Sequence, residues 1–416
     1  MNEGKFPKIN SAASFIPYNL RRGFNLPVIQ HHDAIYAYYF YRLLHQAENL
    51  TLVYCTAMEG MKKGEMSRYL LQLNYENLFK VTETTFNFPV IPTIARPIVI
   101  NKGNEILNKL MNYTNPDSGN YLSPTALNAY IDCSLRFYFR YIARMEEPEL
   151  MKEETELPEF GLVLHSAMKM LYQPFLNQII TIKQLDELAN NLQLLDDVIH
   201  KAFSGVFHHS WSGKFNIEGK DIIVIEIIRK YIKKIIENDQ KFLPFTIIHL
   251  EEFFKSDFSI SIGSSAYSLM LGSIIDRIDK TEEGYRIIDY KTGFSKNTTG
   301  SIPDLFKIND PKRNTAAFQV LFYCMVLKDY FNDKPLIPSL YFIRDLYKNE
   351  VDYHIRYKPD EKKYSTILSF KEIEENFTDG LKFVFDELFN PDVSFKQSGN
   401  RDSCQNCSYK IICHRS

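Results

Sequence analysis

The sequence predicts an α/β protein in which helices wrap a central sheet. Three observations carry that expectation. Residues 160–241 hold stretches with helical apolar spacing, residues 246–291 switch to strand-like runs, and a further helix with two more strand candidates follows. A strand meander with helices before and after it belongs at the centre of a sheet.

At 416 residues the chain exceeds the size at which one core usually stops growing, so two domains are expected, with one large α/β unit as the alternative. The stretch NYTNPDSGNYLSP, residues 112–124, is rich in Asn, Pro, Ser and Gly and lacks an apolar period. A boundary is placed there, giving domains of residues 1–115 and 116–416. A hydrophobic fraction of 45% and a charged fraction of 24% are those of an ordinary soluble globular chain. No run reaches the about 18 apolar residues of a membrane span, and MNEGKFPKIN lacks a signal-peptide core, so the expected location is cytoplasmic, without a membrane. A net charge of -2 gives no global attraction to a polyanion. A nucleic-acid partner would therefore be held by local basic patches or by metal ions.

Taken in order, helices are expected over residues 34–46 and 64–79, with the short strand LTLVYC between them, and a helical run over 125–144. Amphipathic helices follow at 160–176, 185–207 and 220–241, the last with Ile222, Ile225, Ile228, Ile232 and Ile235 or Ile236 on one face. TIIHLEEFF, YSLMLGSIIDRID and YRIIDYKTG read as strands, the last two joined by the turn TEEG. A helix over 314–330, strands PSLYFIR and VDYHIRY, and a helix over 371–389 complete the series.

Within the meander, alternation places Ile274, Asp276 and Ile278 on one strand face and brings Asp289 and Lys291 back on the next. A bare D…D-x-K pattern is usually a solvated hairpin. Here both carboxylates follow apolar pairs, Ile274–Ile275 and Ile287–Ile288, whose strands read as buried, and an acid in such a place needs a partner. Phosphodiester hydrolysis requires oxygen ligands that hold Mg²⁺ or Mn²⁺ against the phosphate, and a group that positions the attacking water. Two Asp and a Lys supply these.

G-x-I-I-D-R-I-D at Gly272–Asp279 followed by I-I-D-Y-K-T-G at Ile287–Gly293 resembles the nuclease signature of the RecB and AddB type, within the PD-(D/E)XK superfamily. G-x-x-x-H at Gly161–His165 and Q-x-x-x-Y at Gln319–Tyr323 match the same family in order and type. The resemblance implies a nuclease core with a mixed central sheet flanked by helices. Asp276, Asp289, His165 and the Tyr290 carbonyl would ligate the metal, Lys291 would orient the water, and Gln319 and Tyr323 would line the DNA path. A lone helical histidine is more often structural, so the role of His165 rests on the motif order. Glu251 resembles the strand glutamate ahead of this signature, but Glu252 is adjacent and the choice between them stays open.

Of six cysteines, Cys404, Cys407 and Cys413 form C-x2-C-x5-C near the C-terminus. Clustering of this kind points to metal rather than disulfides. A fourth ligand from His414 would suit zinc, whereas Cys133 would complete an all-thiolate site suited to a [4Fe–4S] cluster, and the spacing leaves both open. The resemblance implies the second: AddB-like nucleases have one cysteine ahead of the core and C-x2-C-x5-C behind it, and Cys133 lies in the matching segment SPTALNAYIDCSLRFYFRYI. Cys55 and Cys324, in apolar contexts, read as small buried hydrophobes. The aromatic and basic run 135–141 could stack on single-stranded bases, but packing of Phe137, Tyr138 and Tyr141 as core is the stronger reading.

The first hundred residues carry no G-x-x-x-x-G-K-[ST] phosphate loop. NEGKFP, FYRLLHQAENLTLVY and GEMSRYLLQL resemble the last part of the second RecA-like domain of superfamily I helicases. His45-Gln46-Ala47 stands where active helicases carry T-R-A. The resemblance therefore implies a partial, degenerate helicase remnant, a C-terminal portion of a longer helicase-nuclease polypeptide, and a helicase subunit of the AddA type as partner. The resulting expectation is a Mg²⁺-dependent DNA exonuclease acting on single-stranded or duplex ends in end processing and recombinational repair. Its rivals are a catalytically silent DNA-binding or scaffold subunit and an RNA enzyme on the same scaffold.

Overall fold

The chain divides into two units, Met1–Thr93 and Ile94–Ser416. The computed structural model describes residues 1–8, 16–56, 58–59, 62–76, 80–86, 97–145, 157–208, 219–262, 265–293, 296–347, 351–360 and 363–415. In the first unit, helices α1 (Ile29–Leu44) and α2 (Arg68–Glu76) bury Phe40, Tyr69 and Leu73, with the Phe40 and Tyr69 rings stacked at 5.1 Å. LTLVYC forms no strand. Among the described residues no strand pairs with it; instead the Asn2 side-chain amide donates to Cys55 O at 2.6 Å and its Oδ1 accepts from Cys55 N. Cys55 is consequently exposed, not buried as expected.

The second unit starts earlier than residue 116. Strand β1 (Val99–Ile100) pairs with a strand near the C-terminus, and α3 (Asn104–Met111) puts Leu110 into the second unit's core. The loop-like stretch 112–124 forms two short 3-10 turns inside this unit rather than a linker. Helix α4 (Pro124–Asp132) is capped by Ser123, whose Oγ accepts from Ala126 N at 3.1 Å. Cys133, in extended conformation, ends it, and α5 (Ser134–Phe137) and a π turn (Tyr138–Ile142) follow where one continuous helix was expected.

Helix α6 (Leu157–Tyr172) leads to the short edge strand β2 (Ile179–Ile180), then to α7 (Ile182–Asn190) and α8 (Leu192–His208), which Asn191 separates by leaving helical geometry. On α9 (Lys220–Asp239), Ile225, Ile228, Ile232, Ile235 and Ile236 are buried as their spacing predicts. Ile222, expected with them, is exposed because it lies beyond the covered part of the helix.

The long strands β3 (Phe245–Ile262) and β4 (Ser265–Lys280), then β5 (Tyr285–Lys291) and β6 (Leu336–Phe342), form a five-stranded sheet in the order β2-β3-β4-β5-β6. All pairs are antiparallel except β5 with β6, so the sheet is mixed. A parallel pair needs a crossover, supplied by α10 (Thr315–Leu327), which is buried almost all round. Of the candidate strand 351–357, His354 makes only a bridge to Ser339, and pairing continues as the hairpin β7 (Arg356–Asp360) with β8 (Lys363–Thr366). Helix α11 (Glu374–Phe389) and strand β9 (Phe395–Lys396), the partner of β1, complete the unit.

The sheet separates two cores. One joins α4, α10 and α11 to Ile287, and the other joins α6, α8 and α9 to Ile288. Strand β5 is thus buried on both faces up to Tyr290, and only Lys291 emerges. Among the described residues no helix is long and apolar enough to cross a membrane.

Candidate active site

Strands β4 and β5 pair from Lys280↔Tyr285 to Arg277↔Ile288 and go no further. Where the ladder stops, the Asp276 side chain takes over, its Oδ2 accepting from Tyr290 N at 2.9 Å. Asp276 is 7% exposed and Asp289 only 1%, so both expected carboxylates lie in the sheet and not in solvent. Lys291 Nζ lies 2.9 Å from Asp289 Oδ2 and donates to Gln319 Oε1 at 2.9 Å.

From α10, Gln319 Nε2 donates to the Tyr323 hydroxyl, which in turn donates to Asp289 Oδ1 at 3.4 Å. Tyr323, expected along the DNA path, is 2% exposed and holds Asp289 instead. The buried environment and the Asp289 charge keep its hydroxyl protonated and push its pKa up. Gln319 and Tyr323 therefore position the carboxylate and lysine.

His165 comes from α6, whose Gly161 lies close against the loop after β5: a Cβ there would sit 3.4 Å from Thr292 Oγ1. Its Nδ1 is 2.9 Å from Glu251 Oε1 and 3.4 Å from Asp276 Oδ2, and its Nε2 is 3.2 Å from Tyr290 O. Acceptors on both ring nitrogens favour the imidazolium. Burial opposes the charge, but Asp276 and Glu251 outweigh it and raise the pKa to about 9. Burial raises Asp276 to about 7, with His165 opposing and Asp289 and Glu251 adding to the rise. Perturbed titrating groups crowded in this way mark functional sites.

Glu251, not Glu252, joins this group. Within β3 it adopts φ 46°, a left-handed conformation that costs a non-glycine residue about 1–2 kcal/mol, and its carboxylate reaches His165. Glu252, exposed, pairs with His249. No sequence signal separated the two, because the choice depends on one backbone torsion.

The ligand atoms of His165, Glu251 and Asp276 lie within 4.8 Å of one another, close enough to hold a metal ion. Asp289 is buried beside them, with the Lys291 ammonium 2.9 Å from its Oδ2. Three carboxylates gathered around one histidine and one lysine suit a divalent cation.

Sequence reasoning also missed a cluster behind the site. Arg277 is fully buried and donates to both oxygens of Asp279, at 2.7 and 2.8 Å, to Asp239 Oδ2 at 2.6 Å and to the Tyr290 hydroxyl at 3.1 Å. Tyr172 and Tyr341 also donate to Asp239, and Arg286 donates to Asp279. Arg277 and Asp279 inside an apolar strand were the available signal.

Cys133, Cys404, Cys407 and Cys413 line one pocket, together with Arg136 and Tyr409. His414 is exposed and not part of that lining. Phe137 is buried, stacked on Tyr141 at 5.2 Å, as the core reading expects, and Cys324 is fully buried.

The PD-(D/E)XK nuclease superfamily matches residues 121–414, and the chain belongs to it. The match spans the sheet, the site and the cysteine tail, so nuclease-type chemistry is the function its family supports. The chain is also 27% identical over 220 residues to a subunit of an ATP-dependent helicase/deoxyribonuclease from Carboxydothermus hydrogenoformans. The aligned part is 49% of this chain and 19% of that protein's length.

Proposed function

We propose that the chain is a Mg²⁺- or Mn²⁺-dependent deoxyribonuclease that digests DNA from ends during end processing and recombinational repair. The observation that carries this reading is the meeting of Asp276, Asp289 and Lys291 beside the His165–Glu251 pair. His165, Glu251 and Asp276 would hold the ion, with Asp289 and the Tyr290 carbonyl beside them. A divalent ion supplies charge stabilisation at the phosphate and an acidified water. Lys291, held by Asp289 and Gln319, is placed to orient that water. Tyr323 and Gln319 keep Asp289 and Lys291 in register, and burial limits competing solvent.

The cysteine pocket is proposed to hold a [4Fe–4S] cluster. Four cysteines around the pocket suit either group, and the resemblance to AddB-like nucleases favours the cluster over zinc. Ligands from segments as distant as Cys133 and Cys413 turn cluster affinity into folding stability, stapling the two ends of the unit. By its resemblance the first unit is proposed as a degenerate helicase remnant, and the relative's name supports a helicase subunit as partner.

The test incubates anaerobically purified protein with end-labelled single-stranded DNA, duplex DNA and RNA of one sequence, with Mg²⁺ or Mn²⁺, beside Asp289→Ala. DNA cleavage by the parent alone is expected. Failure of both proteins, with iron and sulfide present at cluster stoichiometry, would sink the enzyme reading and favour a scaffold subunit. Preference for RNA would overturn the substrate. Cys407→Ser should lose iron and sulfide, and retention of both would refute the cluster's ligand set.

A further inference from the structure

The groove that opens from the site is lined by His165 and Glu251 but also by Leu162, Lys169 and Ile274. Ile274 was expected to be buried with its neighbour Ile275. Ile275 is indeed fully buried, whereas Ile274 is 54% exposed. Across the strand pair it faces Phe253, so the two side chains share one side of the sheet. The Tyr121 ring lies 4.6 Å from Phe253, and both rings remain about two-fifths exposed, at 43% and 41%. Leu162, 58% exposed, lies across the groove on α6.

Gly272 makes this arrangement possible. A Cβ at that position would come within 2.9 Å of Phe253 Cζ and 3.0 Å of the Tyr121 ring. The missing side chain seats the two rings, so they form a built surface. Single exposed apolar residues need no explanation, but a contiguous set rimming a site does.

Resting on the nuclease reading, we propose that Tyr121, Phe253, Ile274 and Leu162 form a nucleobase-binding subsite that takes an unpaired base next to the cleaved phosphate. The occupant follows from continuity: Leu162 and Ile274 line the groove that holds two of the metal-binding side chains, Phe253 and Tyr121 extend it from Ile274, and Lys169, exposed one helical turn beyond His165, offers a cation to an adjacent phosphate. A base within a duplex has both faces covered by its neighbours. Only an unstacked base can lay a face on an aromatic ring, so the subsite selects single strands or frayed ends and tolerates any sequence.

The test measures binding of fluorescein-labelled dT16 and of an abasic oligomer with the same number of phosphates, with Ca²⁺ replacing Mg²⁺ so that binding is read without cleavage. The full chain should prefer dT16 by about tenfold, the order expected when a base stacks on an aromatic side chain. Phe253→Ala and Tyr121→Ala should lose most of that preference while binding the abasic oligomer as the parent does, which also reports an intact fold. Phe253→Tyr should keep it, and Lys169→Ala should weaken both ligands alike. Ile274→Ala, at an exposed position, is the second variant should a ring replacement not fold, and it should lose part of the preference. Equal binding of both oligomers by the parent, or full preference in the folded ring variants, would overturn the proposal. A parent that prefers dT16 yet cleaves nothing in Mg²⁺ or Mn²⁺ would uphold the subsite and refute the nuclease reading.

Discussion

Strands β4 and β5 carry two groups of buried charge that lie one residue apart in sequence and differ in how they are compensated. Beneath α6 and α9, Arg277 and Arg286 meet Asp239 and Asp279, two cations with two anions, and three tyrosine hydroxyls occupy further hydrogen-bonding positions. At the open end of the same strands, Asp276, Asp289 and Glu251 share one lysine and one histidine. The first group balances cations against anions, while the second has acid in excess. A buried ion group whose charges balance serves structure, and one left short of cations is ready to take a divalent ion. Tyr290 links them, its backbone touching His165 and Asp276 and its hydroxyl touching Arg277.

The contrast predicts opposite phenotypes. Asp289→Ala should lower cleavage by about a thousandfold or more, since the metal site provides several kcal/mol of transition-state stabilisation. Its melting temperature should hold or rise, because one of several repelling carboxylates is gone. A variant that unfolds would break the contrast. Arg277→Met should do the reverse, costing about 3–5 kcal/mol by leaving Asp239 buried without its cation and Asp279 with Arg286 alone. Urea denaturation followed by circular dichroism reads this, and unchanged stability would remove the structural role.

Metal affinity offers a sharper division. Glu251→Ala should weaken Mn²⁺ binding about tenfold to a hundredfold in a calorimetric titration, whereas Glu252→Ala, on the outer surface with His249, should stay within about twofold. Equal losses would put the wrong glutamate in the site.

The pH dependence of the metal-free protein follows from the two raised pKa values. His165 at about 9 lies above its ordinary 6.5, so its contribution is complete below pH 6.5 and is lost as pH rises through 9. Asp276 at about 7 lies above 3.8, so its contribution is complete below pH 3.8 and is lost as pH rises through 7. The melting temperature of metal-free protein should therefore fall by a few degrees between pH 4 and pH 9. Metal needs the carboxylate ionised and a ring nitrogen free, so added Mg²⁺ should stabilise more at pH 9 than at pH 6. Asp276→Asn should flatten the lower half of the curve, and a flat curve in the parent would contradict both assignments.

Much of the site was legible. Asp276, Asp289 and Lys291 were named from alternation and a turn, His165 and Gln319 from motif order, and the structure brings them together. The helices around the sheet were legible wherever apolar residues recur at helical spacing, as on α9. The missed features involve residues whose partners are distant in sequence. LTLVYC has strand composition but no strand beside it, 112–124 has loop composition but folds within the second unit, and Asp239 at the end of α9 gave no hint of Arg277.

By itself the sequence determined the order of the strands in the meander, the return of Asp289 and Lys291 after a tight turn, and the pattern of cysteines, because each depends on periodicity or spacing within a short stretch. Only the tertiary structure decided that Glu251 and not Glu252 reaches His165, that Tyr323 is buried against Asp289, and that Ile274 stays open beside Phe253. Those outcomes depend on a left-handed torsion, on the packing of α10 against the sheet, and on a glycine that leaves room for two rings. Alternation along a strand tells which residues share a face; what covers that face is set by segments far away in the chain.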